Sequence, residues 1–192
     1  MKKADEYYQR SFEGFRKLYE EADRRDQFLN SYLPYRIGKM YYYGIGVETN
    51  YKSALDMFEN SDNTFSKYMR GKMAYAGQGM EQDYDLAYKL FSQCANDGAN
   101  AYAAYQAASL IESGKVKGEA DQKDNYYKTA LQGFLKLEEK NPSDNLEYRI
   151  GCIYLDGKGT EKNEPLAEKY IRTASEAGNI YAKNKLALLY LK

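Results

Sequence analysis

One stretch occurs three times in this chain of 192 residues, and no other feature constrains its fold as much. "YRIGKMYYYGIGVETNYKSALDMF" at 35–58 returns as "YMRGKMAYAGQGMEQDYDLAYKLF" at 68–91 and as "YRIGCIYLDGKGTEKNEPLAEKYI" at 148–171. The last two align without a gap: Gly71, Gly77, Gly79, Ala87 and Gly98 each precede Gly151, Gly157, Gly159, Ala167 and Gly178 by 80 residues. A worn copy lies between them, "YQAASLIESGKV" followed by "NYYKTALQGFLKL", with Ala108 and Gly114 at the two key small positions and a longer loop. A period of roughly 20–50 residues means that one supersecondary unit is stacked on itself.

Each unit reads as two helices. In the first, Ile37, Gly38 and Tyr41 share a face at helical spacing, and Gly38 allows a neighbouring helix to come close. Gly-x-Gly then stops the helix, because glycine takes positive φ without steric cost. In the second, Ala54 and Phe58, Ala87 and Phe91, or Ala167 and Ile171 form a buried i, i+4 stripe that starts just after an Asn or Asp able to cap it. Gly98 and Gly178 stand where left-handed caps would close the second helices. No segment alternates like a strand. A dinucleotide-binding loop needs a preceding strand, whereas this Gly-x-Gly follows a helix and recurs in register, so it reads as a helix stop.

Both ends fall within a unit. "YYQRSFEGFRKL" at 7–18 matches "YYKTALQGFLKL" at 126–137, a second helix, and the closing "NKLALLYLK" matches a first helix, with Ala187 where Gly151 stood. The expected organisation is a single repeat domain over 1–192: a half repeat at 3–30, repeats at 31–63, 64–98, 99–140 and 141–178, and a partial repeat at 179–192. Gly38, Gly71, Ala108, Gly151 and Ala187 are all expected at close contacts between helices. Residues 186–191, Leu-Ala-Leu-Leu-Tyr-Leu, place apolar groups on more than one face. That helix is therefore expected to pack on another copy of the chain as a homodimer, on further repeats, or on the protein it serves.

Composition narrows the function. The chain has no histidine, which removes Ser-His and Cys-His nucleophiles, imidazole bases and histidine-ligated metals. Cys94 and Cys152 form no CxxC pair, and a reducing, cytoplasmic setting fits them. Cys94 aligns with Ala174 as a small buried helix residue, and nothing near Cys152 marks it as activated. With 28 basic and 28 acidic residues, no global field draws the chain to nucleic acid or to an anionic membrane surface. No segment approaches the roughly 20 apolar residues of a membrane span. Neither a catalytic set nor a cofactor or metal site is expected, and the chain reads as a non-enzyme.

Tyrosine occurs 22 times and tryptophan never. Three residues before the small position of each first helix stands Tyr35, Tyr68, Tyr105 or Tyr148. Four and seven residues further on the same face come Lys39 and Tyr42, Lys72 and Tyr75, Ser109 and Glu112, and Cys152 and Leu155. Amphipathic rings and lysine stems can bind a partner protein or peptide, and they can equally cover the rim of the core.

The two-glycine unit with its downstream alanine, "IGCIYLDGKGTEKNEPLAEKYIRTASEAG" in its fullest form, resembles the Sel-1-like repeat, a relative of the tetratricopeptide class. The resemblance covers essentially the whole chain. Ala74 and Ile111 depart from it at the first-helix tyrosine, and Thr160 departs after Gly-x-Gly. It implies an all-α, right-handed α-solenoid of antiparallel helix pairs whose first helices line a concave groove that binds a peptide or protein loop. An alternative it also implies is a structural or dimerising segment of a longer bacterial enzyme such as a mobilisation relaxase.

Overall fold

A computed structural model describes residues 2–23, 25–98 and 100–191. Among them are ten helices: α1 (Lys2–Glu21), α2 (Gln27–Tyr43), α3 (Tyr51–Glu59), α4 (Thr64–Ala76), α5 (Tyr84–Gly98), α6 (Ala101–Glu112), α7 (Ala120–Lys140), α8 (Asp144–Asp156), α9 (Glu164–Glu176) and α10 (Ile180–Tyr190). The fold is all-helical, with the helices packed in sequential pairs. The chain divides into two compact units, Met1–Cys94 and Ala95–Lys192. In the first, α1 packs on α2, α2 on α3 and α3 on α4; in the second, α6 packs on α7, α7 on α8, α8 on α9 and α9 on α10.

Short polar side chains start the helices. Asn50, Asn63, Asn100, Asn163 and Asn179 each accept a hydrogen bond from the backbone N–H three residues on, as do Asp26, Asp83 and Ser143. Each satisfies a donor that the first turn would otherwise leave orphaned, which stabilises a helix by about 1 kcal/mol.

Glycine ends the first helices. Gly44, Gly77 and Gly157 take φ of 67°, 65° and 68°, and Gly114 does the same at 67° in the worn third unit. The next residue then donates back across the turn: Ile45 to Met40, Gln78 to Met73, Lys115 to Leu110 and Lys158 to Ile153. This is the six-to-one closure of a Schellman motif, and it stops the helix because the reversed backbone cannot continue it. A further bond fixes the approach to the second helix, whose capping residue donates to the first: Asn50 to Tyr41, Asp83 to Ala74 and Asn163 to Tyr154. Gly178 is left-handed at 101°, as its place after α9 demands. Gly98 is the last residue of α5, and the residue after it lies outside the described ones.

The second glycine of each loop has a separate duty. A Cβ at Gly46 would lie 2.2 Å from the Tyr8 carbonyl oxygen on α1, one at Gly79 would lie 2.6 Å from that of Tyr51 on α3, and one at Gly159 would lie 2.4 Å from the Lys128 nitrogen on α7. The loop therefore rests directly on the backbone of the preceding second helix. This glycine sets the stacking of one unit on the next.

The expected stripe is buried in Ala54 and Phe58, Ala87 and Phe91, and Ala167 and Ile171, and the worn unit buries Ala130 and Phe134 in the same way. Ala108 is buried as expected, and Gly38, Gly71 and Gly151 sit against Phe58, Phe91 and Ile171. Ala187 differs from the expectation: it is exposed. Among the described residues no second helix packs over it, as α9 packs over Gly151.

Candidate protein-binding surface

The expected tyrosines are half-buried, each leaning on the large second-helix residue of its own pair. Tyr35 lies 6.4 Å from the Phe58 ring, Tyr68 5.7 Å from Phe91 and Tyr105 6.0 Å from Phe134. Tyr148 packs on the cluster of Ile171, Ala174 and Ala182 and stacks on Tyr181 at 6.2 Å. These rings roof the core and present an edge to solvent. Burial raises the pKa of Tyr35, Tyr42 and Tyr105, and raises that of Tyr148 to about 12, so all four hydroxyls stay protonated donors at neutral pH.

In the first unit the ladder is physically joined. The Lys39 ammonium lies over the Tyr35 ring at 5.6 Å, and the Lys72 ammonium of α4 lies over the Tyr42 ring of α2 at 5.4 Å. The Tyr42 hydroxyl donates to Gln78 Oε1 at 2.9 Å, and its ring meets Tyr43 and Tyr51 edge-on. Tyr75, on the same face of α4, meets Tyr84 edge-on at 5.5 Å. Among the described residues neither Lys39 nor Lys72 has a carboxylate within ion-pair distance, and burial pushes the Lys72 ammonium below its ordinary pKa. A charge held over rings in this way is stabilised by the ring quadrupoles and is left with donors to spare.

The second unit arranges its ladder differently. Arg149, from α8, lies over Tyr105 at 5.2 Å and over Tyr102 at 5.9 Å, both on α6. Glu112, at the place corresponding to Tyr42, accepts from the Tyr127 hydroxyl at 2.7 Å and from Lys158 at 2.9 Å. Burial alone would raise the Glu112 pKa, but these two bonds outweigh it and hold the carboxylate below its ordinary value. The Glu112 charge is thus balanced within the unit by Lys158. Cys152 is half-buried, and burial raises its thiol pKa despite the bond from Tyr148. Cys94 is buried, its thiol donating to the Thr64 carbonyl at 3.4 Å.

A second recurrent aromatic position went unnoticed in the sequence. Tyr32, Phe65 and Tyr102 each stand three residues before a ladder tyrosine, and all three are exposed. Phe28 stacks on Tyr32 at 5.5 Å and Phe65 tilts against Tyr35 at 5.8 Å. With Ser31 and Asn63 they line an open, apolar cleft of about 310 Å³ beside the Tyr35 end of the ladder. The repeat spacing carried this signal, since the same offset holds in three successive units.

The Sel1 repeat profile matches residues 35–61, 65–98 and 146–179. The chain belongs to the Sel1 repeat family. Repeats of this family generally mediate protein interactions. Among solved structures, the Sel1 repeat chain resembles a protective antigen present in uropathogenic Escherichia coli strains and displaying an SLR fold. The TM-score is 0.67 at 23% identity, over 96% of this chain and 37% of that one. It also resembles a Sel1 repeat protein from Oxalobacter formigenes, with a TM-score of 0.62 at 19% identity over 95% of this chain and 49% of that one. The chain thus spans less than half the length of either structure. No curated protein sequence matches it. Among the described residues, no helix is long and apolar enough to cross a membrane and no cluster of His, Cys, Asp and Glu could hold a metal ion.

Proposed function

We propose that this Sel1 repeat chain is a non-catalytic interaction scaffold whose first helices bind an extended peptide or protein loop. Tyr35, Lys39, Tyr42, Tyr68, Lys72 and Tyr75 form the principal surface, and Tyr105 and Tyr148 serve the second unit. The observation that carries the reading is the contact of Lys72 on α4 with the Tyr42 ring on α2, which makes one surface out of two consecutive first helices. Aromatic edges supply the anchoring area typical of interface hot spots. The two ammonium groups without carboxylates favour a ligand that brings an acidic side chain, because a carboxylate would offset the cost of burying Lys72.

A displayed library of short extended peptides, counter-selected on a Tyr35→Ala, Tyr42→Ala, Tyr68→Ala variant, tests this. The expected result is peptides that combine an acidic residue with apolar ones and that shift the backbone amide resonances of α2 and α4. Binders whose footprint is confined to α3 and α5 would sink the reading.

A further inference from the structure

The apolar cleft of the first unit offers ring surface and little else. Phe28, Tyr32 and Tyr35 of α2 and Phe65 of α4 line it, and Phe28 and Phe65 are 71% and 59% exposed. Its polar groups are already engaged. The Ser31 carbonyl accepts from the Ser61 hydroxyl at 2.6 Å and from the Asn63 amide at 3.1 Å, and Asn63 Oδ1 accepts from the Ser66 N–H at 2.8 Å to cap α4. A large apolar side chain suits such walls, whereas a polar one would be left without partners.

Cations stand beside these rings in sequence along α2. The Lys39 ammonium lies 5.6 Å from the centroid of Tyr35, a ring that itself lines the cleft. Arg36 lies over Tyr32 at 5.9 Å but also over Phe15 of α1 at 5.4 Å, so it is held between α1 and α2. Tyr42, with the Lys72 ammonium 5.4 Å from its centroid, stands seven residues beyond Tyr35 and ten beyond Tyr32. At about 1.5 Å per helical residue, this second lysine contact follows the cleft by about 10–15 Å.

We propose that the ligand of the first unit is an extended segment with one large apolar side chain and carboxylates two and four residues from it. The apolar group fills the cleft, and the carboxylates meet Lys39 and Lys72 in turn. This register presupposes that the first helices bind an extended peptide, and it adds which side chains go where. An extended chain puts alternate side chains on one side, the second at about 7 Å and the fourth at about 13 Å. The nearer distance suits Lys39, which shares the Tyr35 ring with the cleft, and the farther one suits Lys72. A carboxylate one or three residues from the apolar group points to the opposite side and reaches neither lysine. Ring contact orders both ammonium groups before the ligand arrives, so less side-chain entropy is lost on pairing.

Amide chemical-shift titration of the isotope-labelled chain tests the register with synthetic peptides, acetylated and amidated so that no terminal charge contributes. The in-register probes are Ser-Leu-Ser-Glu-Ser-Glu-Ser and its reverse; the shifted probes, of identical composition, are Ser-Leu-Glu-Ser-Glu-Ser-Ser and its reverse. One in-register order is expected to bind at least about fivefold tighter than either shifted peptide and to move the amides of Phe28, Tyr32 and Phe65. Phe65→Ser, at an exposed ring, is expected to keep the parent's melting temperature and lose that preference. Phe28→Ser, at a still more exposed ring, replaces it if the melting temperature falls. In Lys39→Gln, changing the nearer glutamate of the peptide to glutamine should cost nothing further, and in Lys72→Gln the same holds for the farther one. Equal binding of shifted and in-register peptides, or a preference that survives loss of the cleft ring, overturns the register and leaves peptide binding by the first helices standing. A preference lost in Arg36→Gln but kept in Lys39→Gln overturns the assignment of the nearer carboxylate. Peptides that shift no resonance of α2 or α4 in any order overturn both the register and the groove.

Discussion

The Phe91 ring occupies the space that a side chain on Gly71 would need: a Cβ there would lie 2.7 Å from Phe91 Cε1. The same relation holds between Gly38 and Phe58, and between Gly151 and Ile171 at 2.6 Å. Absence on the first helix and bulk on the second are two sides of one contact. Gly71→Ala is expected to destabilise the fold by about 1–3 kcal/mol through overpacking, although alanine is the better helix former. In a Phe91→Leu background the penalty should largely disappear, a coupling that chemical denaturation of the double-mutant cycle measures directly. Additive effects would show that the ring is not what glycine makes room for.

The two glycines of a loop should respond differently to alanine. Gly77 and Gly79 share a left-handed backbone, with φ of 65° and 74°, so each pays roughly 1–2 kcal/mol for a Cβ on conformational grounds. At Gly77 the nearest atom to the new methyl would be the Gln82 Cβ, at 3.3 Å, whereas at Gly79 it would stand 2.6 Å from the backbone oxygen of Tyr51. Backbone inside a helix cannot step aside. Gly79→Ala is therefore expected to cost at least about 1 kcal/mol more than Gly77→Ala in the same denaturation experiment.

The helix pairs were legible because their signals are local and repeated. Asn before the second helix, glycine after the first and the alanine-aromatic stripe each act within a few residues, and the structure places all three as the spacing predicts. The second glycine was read only as part of the turn. Its contact, with Tyr8, Tyr51 or Lys128, lies a whole helix earlier in the chain, where no local pattern marks it. Ala187 was misplaced for a related reason: it shares its residue type with buried positions, but burial there comes from a packed second helix, and among the described residues none covers Ala187. For the candidate surface, spacing put the tyrosines on one face, while the pairing of Glu112 with Tyr127 and Lys158 depends on side-chain reach between helices.

That pairing gives a pH signature. The Glu112 carboxylate is held below its ordinary pKa, so the folded state binds fewer protons than the unfolded one across that range. Its contribution to stability is complete above the ordinary glutamate range and is lost as pH falls through the folded value. Its side chain is 38% exposed, so solvent screening keeps the contribution to about 1 kcal/mol. Glu112→Gln retains an acceptor for Tyr127 but not the charge. It is expected to lower the melting temperature at pH 7, with the deficit fading toward pH 3; a deficit unchanged across that range would exclude an ionic origin.

The thiols provide a readout of local burial. Thiolate is the reactive form, and burial pushes the Cys152 pKa upward, more than the Tyr148 bond and the nearby lysines pull it down. At pH 8 a smaller fraction is therefore ionised than in a free cysteine, and the half-buried sulfur is also less accessible. Cys94 is enclosed between α4 and α5. With iodoacetamide under native conditions, Cys152 is expected to alkylate more slowly than glutathione and Cys94 more slowly still, while both react fully in denaturant. Single Cys→Ala variants followed by intact mass separate the two rates. Replacing Tyr148 with phenylalanine removes a bond that lowers the thiol pKa, so Cys152 should slow further, and an acceleration would show that the hydroxyl shields the sulfur more than it activates it.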